Sequence, residues 1–539
     1  MQERNQNYLK GATILVAASF LAKFVSVIYK IPVFRIIDEA GAGTFQSTYN
    51  IFTLVLTIST AGVPVALSRM VSSANASGNT RLGKRYFSVA LPAFFLIGLA
   101  AMLLMFFFAE NLAFLMNNPF AAPGIRVLAP AVLFACIISV YRGYAQGHEN
   151  MVPTALSQVI EVIFKAVIGI AAALWLVHRG FESQIVSAGA ITGVTIGLGL
   201  AVPVLVLYKK KVDRNVVISD GGTPDTSGPL SIFGKIMKVS VPITLSSTFM
   251  AFMTVIDSSI LMGRLQSALG FSSREANALY GVHALGLTIS NLLPSIVVPV
   301  SISIVPAIAA AIARGRAGEA GAIMQSSLKI VSLIAIPIST GIMVLAAPML
   351  MAIFQHDTPL GTTILTILGA ATFFICLQYI TTAFLQANGH ERVSLLTFPI
   401  GAVVRIAFVY LLSGISTIGV VASSIAMLAC FIVISVLNIS FIMAKIKDRP
   451  KFSRVFFRPL LCAVIMAMAS LGTYELLRYF GGPVLGIGQL ATTLYLIAAV
   501  LIGISAYVIL IVVTKTVTMD DMLLLPKGAK LAKFLRVRE

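Results

Sequence analysis

The chain has 539 residues, of which 58% are hydrophobic and only 11% are charged. A soluble domain carries about 25% charged residues, so this composition excludes a soluble globular protein and indicates that most side chains face lipid. The formal net charge of +19 would suggest nucleic-acid binding in a soluble protein, but its distribution along this chain favours a different explanation.

Apolar segments recur along almost the whole chain and predict an all-α polytopic membrane protein with about fourteen transmembrane helices. Each segment is close to or longer than the roughly 20 residues that a helix needs to cross the hydrocarbon. The predicted spans are 11–34, 46–70, 86–109, 125–146, 152–177, 184–208, 236–262, 279–311, 326–354, 360–387, 394–413, 417–444, 455–478 and 487–514. The eighth span contains Pro294, Pro299 and Pro306, which predict a kink or break.

The lysine and arginine residues between the spans predict the orientation in the membrane. With both termini in the cytoplasm, 27 of the 39 Lys and Arg residues lie on the cytoplasmic side and 6 on the opposite side. This asymmetry follows the positive-inside rule. The net charge is therefore explained by topology and by contact with anionic lipid, and no nucleic-acid partner is expected.

Repeated features divide the chain into related parts. Gly147-His148-Glu149 follows the fourth span and Gly389-His390-Glu391 follows the tenth. Val63-Pro64-Val65 in the second span resembles Val298-Pro299-Val300 in the eighth. We predict an N-terminal lobe with spans 1–6 (1–210), a cytoplasmic linker (211–235), a C-terminal lobe with spans 7–12 (236–447), and a last part with two spans and a basic tail (448–539). Internal repeats of this kind are typical of carriers, whose substrate site lies between the repeats.

No catalytic or cofactor motif is present in the sequence. It contains no GxxxxGK[ST] phosphate loop, no HExxH and no GxSxG, and no cofactor is expected, although a coupling ion of unknown kind is possible. The four cysteines, Cys136, Cys376, Cys430 and Cys462, all lie in apolar segments without a CxxC pair. They are interpreted as small buried hydrophobic residues and not as disulfides or metal ligands. We therefore expect a carrier and not an enzyme.

Charged residues inside apolar spans are the main candidates for a functional site, because each costs about 2.5–3.5 kcal/mol at a helix centre. Lys23 lies midway along the first span, and Lys30, seven residues later, shares its helix face. Lys30 could instead extend to the membrane interface. Glu161 and Lys165 in the fifth span have the i, i+4 spacing of a helical ion pair. They either neutralise each other or line a cavity.

The remaining candidates lie in other spans. Asp257 is either a cation or proton site or a partner of Lys23 or Arg264, and Arg405 in the eleventh span is either paired with another helix or faces a cavity. Two arginines near the cytoplasmic ends of the second and fourth spans, Arg69 and Arg142, either reach the interface or form a cationic entrance.

The charges near the predicted midplane are net basic, with Lys23, Lys165 and Arg405 against Glu161. A basic cavity is suited to a phosphate or diphosphate and poorly suited to an organic cation.

Four segments carry a resemblance to a known family: GAGTFQSTYNIF (41–52), GVPVALSRMVS (62–72), YRGYAQGHENMVPTALSQVIEVIFK (141–165) and LQANGH (385–390). The chain resembles the SpoVB/YtgP-type branch of the MurJ-like lipid II flippases, in the multidrug/oligosaccharidyl-lipid/polysaccharide exporter superfamily. The resemblance implies two six-helix lobes in a V around a cationic cavity, with a lipid-tail groove along the last two helices. The family's cavity bases on the first helix would correspond to Lys23 and Lys30.

The cargo that this resemblance implies is an undecaprenyl-diphosphate-linked peptidoglycan precursor, moved from the inner to the outer leaflet by alternating access. The resemblance also implies the bacterial plasma membrane as the location of this multi-pass protein. The expected partners are this anionic lipid-linked glycan, the bilayer and possible cell-wall synthesis proteins. Three alternatives remain at this point: a flippase for another polyprenyl-linked glycan, a cation-coupled multidrug exporter, and a nonenzymatic scaffold in sporulation or cell-wall assembly. A membrane glycan polymerase would need a large outer loop with catalytic side chains, and the predicted outer loops are short.

Overall fold

The computed structural model describes residues 2–215, 228–356, 358–446, 449–450, 452–486 and 488–514. Within these ranges the regular secondary structure is entirely helical, as predicted. Fourteen helical segments are long and apolar enough to cross a membrane, which confirms the predicted number. The middle of the predicted linker, 216–227, and most of the basic tail, 515–539, lie outside the described residues.

The described chain forms two compact units, with the boundary between Ala284 and Leu285. The first unit contains the helices α1 (Gln2–Ile36), α2 (Glu39–Thr60), α3 (Val63–Ala76), α4 (Thr80–Phe107), α5 (Ala109–Leu115), α6 (Ala122–Gly147), α7 (Val152–His178), α8 (Ser183–Asn215), α9 (Pro229–Ser267) and the larger part of α10 (Ser273–Ser290). A single 3₁₀ turn, Pro119–Ala121, precedes α6. The lobe boundaries proposed from the sequence stay a prediction.

The second unit contains the end of α10 and the remaining helices. These are α11 (Leu292–Ala313), α12 (Ala317–Val344), α13 (Ala346–Phe354), α14 (Pro359–Ala387), α15 (Glu391–Leu412), α16 (Val421–Lys445), α17 (Phe452–Leu485) and α18 (Gln489–Val513). All four cysteines are buried without a disulfide, in agreement with their interpretation as small hydrophobic residues.

The eighth span is broken, as its prolines predict. Helix α10 ends at Ser290 and α11 begins at Leu292, while Pro299 and Pro306 continue inside α11. The side chain of Asn291 makes no capping hydrogen bond. Its backbone carbonyl accepts the Ser295 amide at 3.4 Å and the Ser295 hydroxyl at 2.8 Å. The carbonyl of Ser290, which has no helical donor because Pro294 lacks an N–H, accepts the Thr372 hydroxyl at 3.5 Å.

Two further breaks were not predicted, and they recur at the same spacing. The helix that begins at Thr80 is interrupted at Phe108, and the helix that begins at Ala317 is interrupted at Leu345. Both the helix starts and the interruptions are 237 residues apart, a separation between the 235 and 242 residues that separate the repeated sequence features. Neither position is itself proline or glycine. Pro348 nevertheless follows Leu345 by three residues, as Pro294 follows Asn291, so the break in the ninth span has a proline signal that the sequence analysis did not use.

Glycines allow α7 and α8 to approach at backbone distance. A β-carbon at Gly193 would lie 2.3 Å from the carbonyl oxygen of Lys165, and one at Gly197 would lie 2.5 Å from that of Glu161. Small residues at helix interfaces are the usual means of close packing in membranes. Because these contacts involve the turns that carry Glu161 and Lys165, they fix the position of both charged side chains.

Helix α1 is fixed to the same pair of helices by a buried tyrosine. Tyr29 on α1 donates its hydroxyl hydrogen to the carbonyl oxygen of Ala190 on α8 at 2.8 Å. Its ring is accommodated because Gly169 on α7 has no side chain: a β-carbon there would lie 2.9 Å from the Tyr29 hydroxyl. The residue that follows, Lys30, is thereby held close to α2 and α7.

Candidate anion-binding site

Lys30 is directed from α1 into a group of aromatic and polar side chains. Its Nζ donates to Oε1 of Gln46 at 3.3 Å. The same nitrogen lies 5.8 Å from the ring centroid of Phe34, 5.7 Å from that of Phe45 and 5.6 Å from that of Tyr49. These distances are within the range of cation–π attraction, so aromatic faces hold the ammonium group inside the helical unit.

Lys165 reaches the same tyrosine from α7. It is buried, and its Nζ lies 5.3 Å from the ring centroids of both Tyr29 and Tyr49. The nitrogen also donates to the Tyr49 hydroxyl at 3.4 Å. Two ammonium groups, from α1 and α7, therefore share the ring of Tyr49.

We call Lys30, Gln46, Tyr49 and Lys165 the lysine–tyrosine site. Among the residues that the structure describes, no carboxylate lies within ion-pairing distance of either ammonium group. Burying a charge without an opposite charge is costly unless other groups stabilise it, and here rings and neutral oxygens do so. The site is consequently positive and suited to an anion with several acceptor oxygens.

Glu161 is neutralised by a neighbouring helix and not by Lys165. Nη2 of Arg142, on α6, donates to Oε2 of Glu161 at 3.1 Å, and its Nε donates to the Ser157 hydroxyl at 2.9 Å. Both charged side chains are largely buried, with 17% and 27% exposed. Of the sequence alternatives, the helical i, i+4 pair is therefore not the one formed, and Arg142 is engaged in an ion pair.

Lys23 and Arg69 have exposed side chains. Lys23 lies on α1, two turns before Lys30, and Arg69 lies on α3. Lys23 thus lies outside the lysine–tyrosine site, although it occupies the same helix.

The other three predicted residues lie on helices that contribute no member of the lysine–tyrosine site. Asp257 is buried on α9, and Arg264 is half-buried in the last turns of the same helix. Arg405 is half-buried on α15, in the second unit. Their roles as site residues stay predictions.

A chain of amide hydrogen bonds connects Lys30 with α9 and α10. Nε2 of Gln46 donates to Oδ1 of Asn50 at 2.8 Å. Nδ2 of Asn50 donates in turn to the Tyr280 hydroxyl at 3.0 Å and to the Ser258 hydroxyl at 3.3 Å. Neutral groups therefore form a continuous hydrogen-bonded connection from the Lys30 ammonium to these two helices.

A second buried polar contact holds α10 against α2. Nδ2 of Asn118 donates to Oδ1 of Asn277 at 2.7 Å, and Nδ2 of Asn277 donates to the carbonyl oxygen of Ala40 at 2.7 Å. The helices approach closely because a β-carbon at Gly281 would lie only 1.7 Å from the carbonyl oxygen of Glu39. This contact depends on glycine.

Sequence reasoning did not identify Gln46, Tyr49 or Asn50 as site residues. They occupy positions i, i+3 and i+4 of α2 and therefore share one helix face. A polar helix face within an apolar span, in the segment GAGTFQSTYNIF (41–52), was the sequence signal that could have identified them.

Comparison with known proteins identifies the family of this chain. Residues 8–312, more than half of the chain, match the family described as polysaccharide biosynthesis protein. The chain belongs to this family. This membership agrees with the resemblance detected in the sequence, and with fourteen apolar helices it identifies a multi-pass membrane protein.

Relatives in the polysaccharide biosynthesis family come from Bacillus subtilis (strain 168). The uncharacterized membrane protein YabM is 26% identical over 98% of this chain and 97% of its own length. Stage V sporulation protein B is 24% identical over 80% of this chain and 83% of its own. The lipid II flippase MurJ is 23% identical over 74% of this chain and 76% of its own. Homology to these proteins supports the predicted branch.

A solved structure of a family relative has the same fold. The lipid II flippase MurJ in its inward closed conformation aligns with a TM-score of 0.68 at 17% identity, over 93% of this chain and 98% of that protein. The fold is therefore that of the MurJ-like members of the superfamily.

Proposed function

We propose that this protein is a flippase that moves undecaprenyl-diphosphate-linked peptidoglycan precursor, lipid II, from the inner to the outer leaflet by alternating access. The observation that carries the proposal is the lysine–tyrosine site, which presents two ammonium groups inside a membrane-spanning helical unit. A family of polysaccharide biosynthesis proteins and a relative described as a lipid II flippase support the same cargo class.

The chemistry of the site suits a diphosphate. Each phosphate offers several anionic oxygens, and hydrogen bonds from ammonium to phosphate are charge-assisted and about twice as strong as neutral ones. Cation–π contacts contribute about 0.5–2 kcal/mol. The aromatic rings therefore retain Lys30 and Lys165 when no substrate is bound, and a diphosphate can take over both ammonium groups together with the Tyr49 hydroxyl.

The exposed cations are assigned to substrate capture. In our proposal Arg69 attracts the headgroup on the cytoplasmic side, Lys23 contacts it midway along α1, and Lys30 and Lys165 then hold the diphosphate. The polyprenyl tail stays in lipid along α17 and α18. Arg264 and Arg405 are assigned to later contacts, and Arg142 positions Glu161 away from Lys165.

A second candidate is a flippase for another polyprenyl-diphosphate glycan. In our proposal the lysine–tyrosine site binds the diphosphate, which both cargoes share. The family description also names polysaccharide biosynthesis in general. A cation-coupled multidrug exporter is less favoured because two ammonium groups would repel a cationic substrate.

The proposal is tested by measuring lipid II exposed on the outer leaflet of cells depleted of this protein. The depleted cells are supplied with Lys30→Gln, Lys165→Gln or the double variant. Each variant should still be expressed in the membrane but should restore little of the lipid II exposure on the outer leaflet. Lys210→Gln is the matched control, because this lysine is exposed on α8. Charge-retaining Lys165→Arg separates loss of charge from loss of packing and should keep partial activity.

Full complementation by the double variant would overturn the role of the lysine–tyrosine site. Unchanged lipid II exposure on depletion, with accumulation of a different lipid-linked glycan inside the cell, would establish the second candidate instead.

A further inference from the structure

A cavity in the second unit is lined by residues that take no part in the lysine–tyrosine site. It has a volume of about 240 Å³ and is enclosed by α12, α13, α17 and α18. Three hydroxyl-bearing side chains, Tyr474, Thr492 and Tyr495, line it and are more than nine-tenths buried. Apolar side chains, among them Val344, Met351 and Leu471, form another part of its wall.

The position of the cavity along α18 corresponds to the border between headgroups and hydrocarbon. Helix α18 begins at Gln489, and Thr492 and Tyr495 are its fourth and seventh residues. With a rise of 1.5 Å per residue they lie about 5–9 Å below the helix end. The charge distribution assigns that end to the outer side, so the cavity lies where outer-leaflet headgroups meet their chains. Tyrosine is enriched at this depth.

Two opposite charges accompany the hydroxyl groups. Glu475 and Arg478, which also line the cavity, are 3.9 Å apart, and more than half of each side chain is exposed. At this distance the two side chains form at most a weak ion pair and no bidentate contact. Most N–H donors of Arg478 and acceptor oxygens of Glu475 therefore remain available to a ligand. Together they present a cation and an anion on adjacent turns of α17.

The charges and the volume of the cavity restrict which ligand it can bind. A headgroup with one phosphate and one protonated amine can pair with both Arg478 and Glu475, whereas a purely anionic headgroup is repelled by Glu475. A volume of about 240 Å³ is below the usual 300–1,000 Å³ of pockets for larger ligands. It excludes the diphosphate-linked glycan and suits a phosphoethanolamine group, with acyl chains continuing along the apolar wall.

We propose that this cavity binds phosphatidylethanolamine of the outer leaflet, with the phosphate on Arg478 and the ammonium on Glu475. The bound lipid connects α17 and α18 to α12 and α13. The proposal does not depend on the transported substrate.

The test is native mass spectrometry of the full chain in nanodiscs containing equal amounts of phosphatidylethanolamine, phosphatidylcholine and phosphatidylglycerol. Phosphatidylethanolamine should be retained most strongly, since choline has no N–H donor for Glu475. Arg478→Gln should reduce its retention about two- to fivefold, the effect of one partly exposed charge contact. Glu475→Gln should in addition raise retention of phosphatidylglycerol, because the repelling charge is removed.

Two variants control for indirect effects. Ala347→Phe fills the cavity without changing any charge and should reduce retention of all three lipids at this site. Arg126→Gln disrupts another outer-side ion pair, with Glu110 at 2.6 Å, and should leave lipid retention unchanged. Equal retention of the three lipids by the unmodified chain, or an unchanged lipid preference in Glu475→Gln, would overturn the proposal.

Discussion

At the scale of single residues, the pairing of Glu161 determines the charge of the lysine–tyrosine site. Lys165 is four residues away on the same helix, yet Glu161 accepts from Arg142. The guanidinium fork can donate to Glu161 and Ser157 together, which a single ammonium group with its compact geometry matches less well. Lys165 is consequently left to the aromatic rings of Tyr29 and Tyr49.

Arg142→Gln should destabilise the protein by about 1–3 kcal/mol, since it leaves a largely buried carboxylate without its partner. Thermal unfolding in detergent measures the effect. The double variant Arg142→Gln/Glu161→Gln should recover most of the loss, because both charges are then absent. A double variant no more stable than Arg142→Gln would show that the ion pair is not the cause.

The charged members of the site could be predicted from the sequence, but their surroundings could not. Lys30 and Lys165 are identifiable because a charge within an apolar span is costly. Gln46 and Tyr49 carry no charge, and their contacts with Lys30 and Lys165 join residues up to 116 positions apart. Hydropathy does not show which helix faces pack together. The contact of both lysines with the ring of Tyr49 could therefore be found only in the structure.

At the scale of helices, glycine determines which elements can approach. Gly281 on α10 faces the backbone of Glu39, and Gly43 on α2 faces the backbone of Asn277. In both cases the nearest atom is a backbone oxygen, which cannot rotate away from an added side chain. The contact between α2 and α10 therefore requires glycine at both positions.

Gly281→Ala should separate α10 from α2 and expose the amide hydrogen bonds around Asn277. We expect a lower thermal midpoint and faster hydrogen exchange in α10. Gly234→Ala is the control, since nothing lies within 4 Å of an added β-carbon at that helical position; it should be neutral or slightly stabilising. Unchanged hydrogen exchange in Gly281→Ala would contradict the close approach.

The helices themselves were predictable to different degrees. Apolar length gave the number of spans, and three prolines indicated the break near Asn291. The interruption at Leu345 lies inside the predicted ninth span, although Pro348 follows it by three residues. Phe108 lies at the end of the predicted third span and is followed by the polar residues Glu110 and Asn111. Leu345 is also buried beside Tyr474 and Tyr495.

At the scale of the whole molecule, the distribution of lysine and arginine predicts that both termini are cytoplasmic. Single cysteines in a cysteine-free background test this orientation. A membrane-impermeant maleimide should label Ser267→Cys in intact cells, because the connection between α9 and α10 is assigned to the outside. Ala317→Cys should react only after permeabilisation, and the opposite labelling pattern would reverse the predicted topology.

The central claim is that two lysines on α1 and α7 move an anionic lipid-linked headgroup across the membrane. Its most direct test is translocation of fluorescent lipid II in proteoliposomes that contain the purified full chain. The account predicts translocation by the unmodified chain and by Lys210→Gln, and its loss in Lys30→Gln/Lys165→Gln. Equal translocation by this double variant, or no translocation of any undecaprenyl-diphosphate glycan by the unmodified chain, would contradict it.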